Sequence, residues 1–397
     1  MSNLYGVGSF DAGREETRFA ALLAGGSPLG GDLRKHFGNM KSEVHGSVDL
    51  ECVPLWSPFK LGAQGAGVVR GEVVRRTQHA FTEARENERA RRIVVGLRHK
   101  LTDRNNMPAR DEAAFLSVNR LSCQFVGLPK MKRTVMDNQV FKEVWSIYMG
   151  TASPVCKNWI GTSYVDVFKK RRLVDEFGDN VAAAMMPGDG WRTRHDSFKW
   201  LLAQQATWAM YQLRVEPNNL FLPWIQQREA FMAQVKARKR QGMVPDFLDV
   251  KRQVLMDVKG CSFCKTRYQA GHFHLGQQCK GVRVRQDEVH TSSVAKMKKV
   301  DRVYNGWDRH STVLGPAAQR LRGFGRVEGL VVGAHGEGSP DLLKLIKRIA
   351  KRAAETNFRT MGFNSSRGAY STVLNQIYLS LGVESIRGMV RLGFAFC

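Results

Sequence analysis

The sequence predicts an α/β fold: a mixed sheet flanked by helices in the C-terminal half, preceded by a basic region that is mainly helical or irregular. After residue 190, apolar residues at helical spacing alternate with short apolar runs of strand length. The Pro-Gly-Asp-Gly segment at 187–190 marks a break before this pattern begins. A chain of 397 residues with 43% hydrophobic residues is also long and apolar enough to bury a substantial core.

Charge composition points to a polyanionic partner. The chain has 61 Lys and Arg against 36 Asp and Glu, a net charge of +25. Nucleic acid is the expected partner, because contacts with phosphates release counterions. A membrane is not expected, since no 18-residue apolar run and no signal peptide is present. Seven cysteines, an odd number, favour a soluble, reduced, intracellular protein, nuclear or cytoplasmic.

The first 186 residues divide by composition into two parts. Residues 1–70 form a glycine-rich arm. Residues 71–186 form a basic region of unknown fold. Within it, residues 71–98 have a helical pattern. This helix either lies along a phosphate backbone or has a solvated face of Glu-Arg pairs. Basic clusters occur at 130–133 and 169–172, and no P-loop motif is present. The domain that carries the chemistry is therefore predicted to span 187–397.

The predicted elements of this domain follow one another in a regular order. A helix from residue 198 has an apolar face, and a short strand follows at 212–216. Proline in the first turn and basic residues in the last turn predict a helix at 223–238. Two strands with a turn near Lys251 come next, at 242–260.

Beyond this hairpin the chain returns to the sheet once more. A basic helix is predicted at 286–304 and a buried strand at 329–332. Ser339 as N-cap, followed by proline and an acid, predicts a helix at 341–356, and a final helix is predicted at 370–381. The predicted order is therefore helix, strand, inserted helix, strand, strand, helix, strand.

The hairpin at 242–260 brings together two acids and a lysine. Strand residues two apart share a face, so Asp257 and Lys259 point to the same side and Val258 points into the core. Asp246, placed by Pro245 on the preceding strand, can reach that side as well. Two carboxylates beside a lysine form a site for a divalent cation and an attacking water, although an ordinary polar hairpin edge has the same composition.

The motif Pro245-Asp246…Asp257-Val258-Lys259, in this order of elements, resembles the PD-(D/E)XK nuclease superfamily, which has a restriction-endonuclease-like αβββαβ core. The resemblance implies that Asp246, Asp257 and the backbone of Val258 hold Mg²⁺ or Mn²⁺, and that Lys259 positions the attacking water. It implies a metal-dependent DNA endonuclease, DNA being favoured over RNA, of the kind found in mobile elements and viruses. The basic N-terminal region would then bind nucleic acid.

Several residues around this motif are candidates for further roles. As a third acid we expect Glu216, at the end of the first strand, with Glu229 and Asp196 as alternatives and surface solvation as the simpler explanation for each. His195 fits a helix cap, a core residue or a general base. The glycine-rich loop 333–338 fits either a phosphate site at a helix N-terminus or a tight turn.

A cluster of Cys and His after Lys259 has the spacing of a structural zinc site, although its second ligand pair is irregular and buried reduced cysteines are the alternative. Its members are Cys261, Cys264, His272, His274 and Cys279.

A rival hypothesis explains the charge without catalysis. In it the chain is a nucleic-acid-binding or packaging protein, either unrelated to nucleases or built on a degenerate nuclease fold. Metal dependence separates the two hypotheses. The sequence leaves the oligomeric state open, a homodimer included.

Overall fold

A four-stranded mixed sheet organises the computed structural model, which describes residues 119–122, 124, 134–184, 190–217, 219–236, 245–263 and 280–394. Its strands, in their order across the sheet, are β3 (Leu213–Val215), β4 (Phe247–Asp249), β5 (Val254–Gly260) and β6 (Glu328–Val332). The first two pairs are antiparallel, and β5 and β6 are parallel.

Strand β5 is the longest and lies inside the sheet, where its apolar residues face the core. Leu255, Met256 and Val258 are almost completely buried. The parallel pairing with β6 requires a crossover connection. Helices α5 (Lys280–Tyr304) and α6 (Pro316–Gly323) form part of it. Helix α5 packs closely on Gly329 of β6, because a Cβ added at Gly329 would lie 2.8 Å from the backbone oxygen of Gln286 in that helix.

Three helices cover one face of the sheet and build the main core. They are α3 (Gly190–Trp208), α7 (Pro340–Asn357) and α8 (Ser366–Phe394). Helix α7 begins as its sequence predicts, because the hydroxyl of Ser339 accepts a hydrogen bond from the N–H of Leu342 and proline occupies the first turn. Its apolar stripe then faces the core with Leu342, Leu345, Ile346, Ile349, Ala350 and Ala353.

The segment before residue 187 adds a helix and a small hairpin. Helix α1 (Asn138–Met149) is capped by Asp137, and the hairpin strands are β1 (Ser163–Val165) and β2 (Arg171–Leu173). The short helix α2 (Asp179–Ala183) follows. Cys156, Val174 and Val181 form a small core of their own beneath the hairpin.

Residues before 187 also contribute to the main core. Leu121 is completely buried in it, and the side-chain amide of Asn119 donates to the carbonyl of Gly338 at 3.1 Å. All described residues fall within one compact unit, Arg104–Cys397. The glycine-rich arm predicted for 1–70 and the basic helix predicted for 71–98 lie outside the described residues.

The predicted α/β architecture, a mixed sheet flanked by helices, is confirmed, and its elements occur in the predicted order. The differences lie in the helices. The helix predicted at 223–238 is split into a short 3-10 turn, Leu222–Trp224, and helix α4 (Arg228–Lys236), because Ile225 between them is extended. Helix α6 was not predicted, and α8 is much longer than 370–381.

None of the helices in the described ranges has both the length and the apolar character that a membrane-spanning segment requires.

Candidate functional site

Asp246 is fixed by backbone contacts on both sides. It lies directly before β4, and its carbonyl accepts a hydrogen bond of 2.9 Å from the N–H of Glu216 at the end of β3. Its carboxylate turns toward β5, where Oδ2 accepts a hydrogen bond of 2.7 Å from the N–H of Val258. The side chain is only 10% exposed. Asp246 is therefore held rigidly against the strand that carries Asp257 and Lys259.

Asp257 and Lys259 occupy one face of β5, as the strand alternation predicts. Lys259 Nζ lies 2.7 Å from Asp257 Oδ2, while Val258 between them is buried in the main core. The Lys259 side chain is 27% exposed, so its ammonium group can meet solvent or substrate. Val258 contacts the site through its backbone N–H, which donates to Asp246 Oδ2, rather than through the carbonyl expected to hold the metal.

His195 joins this group from helix α3. Its Nε2 lies 3.1 Å from Asp246 Oδ2, and its Nδ1 lies 3.0 Å from Asp196 Oδ1. Helix α3 begins at Gly190, earlier than the apolar pattern from Phe198 suggests, and this start places His195 on its second turn. The His-Asp pair before an apolar helix was the available signal, but no local pattern reports a contact with a distant strand.

His195, Asp246 and Asp257 could hold one metal ion. One ligand atom from each of them lies within 4.8 Å of the others. The donors are one imidazole nitrogen and two carboxylates. Carboxylates suit Mg²⁺ and Mn²⁺, and an imidazole nitrogen favours the softer Mn²⁺ over Mg²⁺.

Lys199 links the remaining charges near the site. Its ammonium is almost completely buried and donates to Glu216 Oε1 and, at 3.0 Å, to Asp196 Oδ1. It also lies 3.9 Å from Asp246 Oδ1. Glu216 is thus connected to Asp246 through Lys199, and it lies outside the three-residue group. Glu216 and Asp196, two of the residues considered as a third acid, therefore pair with the same lysine.

The pKa values of Asp246 and Asp257 are shifted in opposite directions. Burial alone raises the pKa of Asp246, but hydrogen bonds with His195, Asp257 and the N–H of Val258 hold that pKa far below its ordinary value. For Asp257, burial and the bond with Asp246 raise the pKa to about 6, against the opposing charge of Lys259. Two adjacent carboxylates cannot both ionise easily without a cation between them.

The histidine responds to the same carboxylates. Burial lowers the pKa of His195, but the bonds to Asp246 and Asp196 outweigh burial and raise the pKa above its ordinary value. Without a metal ion, this raised pKa favours a protonated imidazole that donates to both Asp246 and Asp196. A metal ion at Nε2 would have to displace that proton.

A pocket of about 150 Å³ opens beside the site. His195 and Lys259 line it, so it is continuous with the group of His195, Asp246 and Asp257. The buried side chain of Arg194 also lines the pocket and passes close to two glycines. A Cβ added at Gly260 would lie 3.0 Å from Nη1 of Arg194, and one added at Gly388 would lie 2.8 Å from its Cγ. The other lining residues are Trp191, Phe198, Val258, Arg285, Val332, Glu384 and Ser385.

Other candidates from the sequence lie elsewhere. Glu229 is exposed on α4. The loop 333–338 is buried, and the Glu337 carboxylate accepts a hydrogen bond from the N–H of His335, which favours the tight-turn alternative over a phosphate site.

Of the predicted zinc ligands, only Cys261 is described. It is buried, and its Sγ lies 3.8 Å from the carbonyl oxygen of Ser262. The others, Cys264, His272, His274 and Cys279, lie outside the described residues. The zinc site therefore stays a prediction.

Comparison with protein-family models, curated proteins and solved structures found no match.

Proposed function

We propose that this chain is a metal-dependent nuclease that hydrolyses phosphodiester bonds. The observation that carries the proposal is the convergence of Asp246, Asp257 and His195, with the Lys259 ammonium 2.7 Å from Asp257. It is the arrangement expected from the resemblance to the PD-(D/E)XK superfamily, with a histidine added. Acidic ligands next to a solvent-accessible lysine suit attack by water on a phosphodiester.

A divalent ion bound there would lower the pKa of a water molecule and neutralise charge on the scissile phosphate. The chain supplies the ligands for it: Asp246, Asp257 and Nε2 of His195. The mixed nitrogen and oxygen donors favour Mn²⁺ over Mg²⁺. The backbone carbonyl of Val258 remains an additional proposed ligand.

Asp196 holds His195 in the form that a metal ligand needs. Its Oδ1 lies 3.0 Å from Nδ1, so it accepts a hydrogen bond from Nδ1–H, and Nε2 is then the nitrogen that would bind an ion once its own proton is displaced. Lys199 in turn fixes Asp196. Asp196 and Lys199 therefore act as positioning residues: Asp196 contacts His195, Lys199 contacts Asp196, and neither contacts the substrate.

Lys259 is the residue that would act on the water and the phosphate. Its compact ammonium can orient a water, supply a proton and stabilise the negative charge that develops in the transition state. Arg194 and Arg285 line the pocket beside it and add positive charge near the site, although Arg285 is paired with Glu288 at 2.8 Å. The resemblance favours DNA as the substrate, cut internally.

The decisive experiment is cleavage of labelled linear, circular and single-stranded DNA, and of RNA of the same sequence, with Mg²⁺ or Mn²⁺ and with chelator. The variant is Asp257→Ala, and the matched control is Glu355→Gln, an exposed acid on α7. We expect cutting by wild type and by the control that needs metal, and loss of cutting with retained binding in Asp257→Ala.

A non-catalytic nucleic-acid-binding protein is the second candidate, and one observation favours it. Every acid of the site has a basic neighbour without a metal ion: Asp246 has His195, Asp257 has Lys259, and Glu216 has Lys199. Such a protein would bind equally well in chelator and cut nothing. That outcome would overturn the nuclease proposal.

A further inference from the structure

The hairpin of β1 and β2 ends in an exposed tip that is both apolar and cationic. Phe168 is 66% exposed, and Val165, Val167 and Leu173 are each more than half exposed. The side chains of Lys169, Lys170 and Arg171 are exposed next to them. A soluble protein rarely leaves an aromatic ring and three aliphatic side chains together in water without a use for them.

The tip is held rigidly by one buried acid. Asp166 accepts hydrogen bonds from the N–H groups of Phe168 at 2.9 Å and Lys170 at 3.0 Å, and from Nε of Arg172 at 2.9 Å. Lys169 takes the left-handed backbone conformation, with φ of 60°, which closes the turn. The only acid of the hairpin is therefore buried and paired, and the cations that face outward have no acid of the hairpin beside them.

The two faces of the hairpin differ. Tyr164 and Arg172 are cross-strand partners on the inner face, where Tyr164 packs on the small core beneath. Val165 pairs with Arg171 on the outer face, and Leu173 lies one pair further along it. The outer face therefore continues the apolar and cationic surface of the tip along both strands.

Helix α2 connects the hairpin to the rim of the candidate site. Val181 of α2 belongs to the core beneath the hairpin. The carbonyl of Ala182 accepts a hydrogen bond of 3.0 Å from Ser262, three residues after Lys259, and the carbonyl of Ala184 accepts one of 2.8 Å from Trp191, which lines the pocket. The hairpin is thus anchored next to the site.

We propose that this hairpin, residues 163–173, is a docking surface for single-stranded nucleic acid that leads to the site. A base stacks on Phe168, and the phosphates on either side contact Lys169, Lys170 and Arg171. Positive charge without an exposed acid selects a polyanion, and the exposed aromatic ring selects a polyanion that carries bases. The proposal rests on the nucleic-acid partner of the proposed function but does not require cleavage.

The test is fluorescence anisotropy with labelled single-stranded RNA and DNA of about 20 nucleotides, longer than a typical single-strand binding site. Chelator prevents metal-dependent cutting, and the salt concentration is varied. We expect Phe168→Ala to weaken binding about tenfold with an unchanged salt slope, and Phe168→Tyr to bind like wild type. Lys170→Ala should lower the salt slope by about 0.7.

Trp145→Ala is the control, since Trp145 is an exposed aromatic residue on α1, outside the hairpin, and its loss should not change affinity. The melting temperature of each variant verifies that the fold is intact. An affinity of Phe168→Ala within twofold of wild type would overturn the proposal.

A second arm measures binding to vesicles of phosphatidylserine and phosphatidylcholine. Loss of vesicle binding in Phe168→Ala, with nucleic-acid binding unchanged, would assign the hairpin to a lipid surface and also overturn the proposal. A chain that cuts nothing but needs Phe168 to bind would retain the docking surface and refute only the nuclease.

Discussion

Nε2 of His195 lies 3.1 Å from Oδ2 of Asp246, although 51 residues separate them in the sequence. The same Oδ2 accepts the N–H of Val258, so one carboxylate oxygen joins helix α3, the start of β4 and the middle of β5. This contact adds His195 to a pair of acids on a hairpin and so forms a group of three candidate metal ligands. Its consequences can be measured residue by residue.

His195→Ala should weaken Mn²⁺ binding at least about tenfold, because it removes the only nitrogen ligand of the group. The measurement is the rise in melting temperature as Mn²⁺ is added, since an ion that binds the folded state stabilises it. His310→Ala, an exposed histidine, is the control. Equal Mn²⁺-dependent shifts in His195→Ala and wild type would remove His195 from the ligand set.

Asp196→Asn should weaken Mn²⁺ binding about tenfold while the ligands themselves stay in place. The reason is that Asp196 fixes the tautomer and orientation of His195 from its far side. The same titration of melting temperature with Mn²⁺ measures the effect. Arg192→Ala is the matched control, because Arg192 contacts Asp196 at 3.6 Å from an exposed position and should matter little.

Asp257→Asn should stabilise the metal-free protein at about pH 7.5. The pKa of Asp257 is raised to about 6 from 3.8, so above pH 6 the folded protein holds an ionised carboxylate that it disfavours. Removing that charge should increase the free energy of unfolding by about 1–3 kcal/mol. The gain should shrink as the pH falls from about 6 to about 4, where Asp257 is already protonated. Urea denaturation in chelator at several pH values measures it.

Asp246→Asn serves as the opposite-sign control. The pKa of Asp246 is held below its ordinary value, so its contribution to stability is present above pH 3.8 and is lost only as the pH falls through the lowered pKa. This variant should therefore be less stable than wild type at about pH 7.5. If both variants changed stability in the same direction, the assignment of the two pKa shifts would be wrong.

Lys259→Ala should abolish most cleavage, about 10²–10⁴-fold, and leave nucleic-acid affinity nearly unchanged. Lys259→Arg should not restore activity, because a guanidinium cannot give up its proton and is planar and bulky. Single-turnover cleavage and anisotropy, measured on the same variants, separate chemistry from binding. Lys251→Ala, an exposed lysine in the turn before β5, provides the comparison. Parallel losses of affinity and rate would make Lys259 a binding residue.

Local sequence patterns predicted an element correctly when its signals lie within one short segment. Ser339 followed by proline predicted the start of α7, and the polar break near Lys251 predicted the turn between β4 and β5. The start of α3 was predicted too late, because the residues before Phe198 are mostly polar and carry no apolar period. Tertiary contacts of Arg194 and His195 stabilise that first part of the helix instead.

The sequence by itself determined the pair on β5. Strand alternation requires Asp257 and Lys259 to share a face and Val258 to enter the core, whatever the rest of the chain does. Only the tertiary structure decided what surrounds that pair: His195 as the third candidate ligand, and Lys199 as the cation shared by Asp196 and Glu216. The reason is physical. Periodicity acts over a few residues, whereas the packing of α3 across the sheet depends on a core assembled from the whole domain.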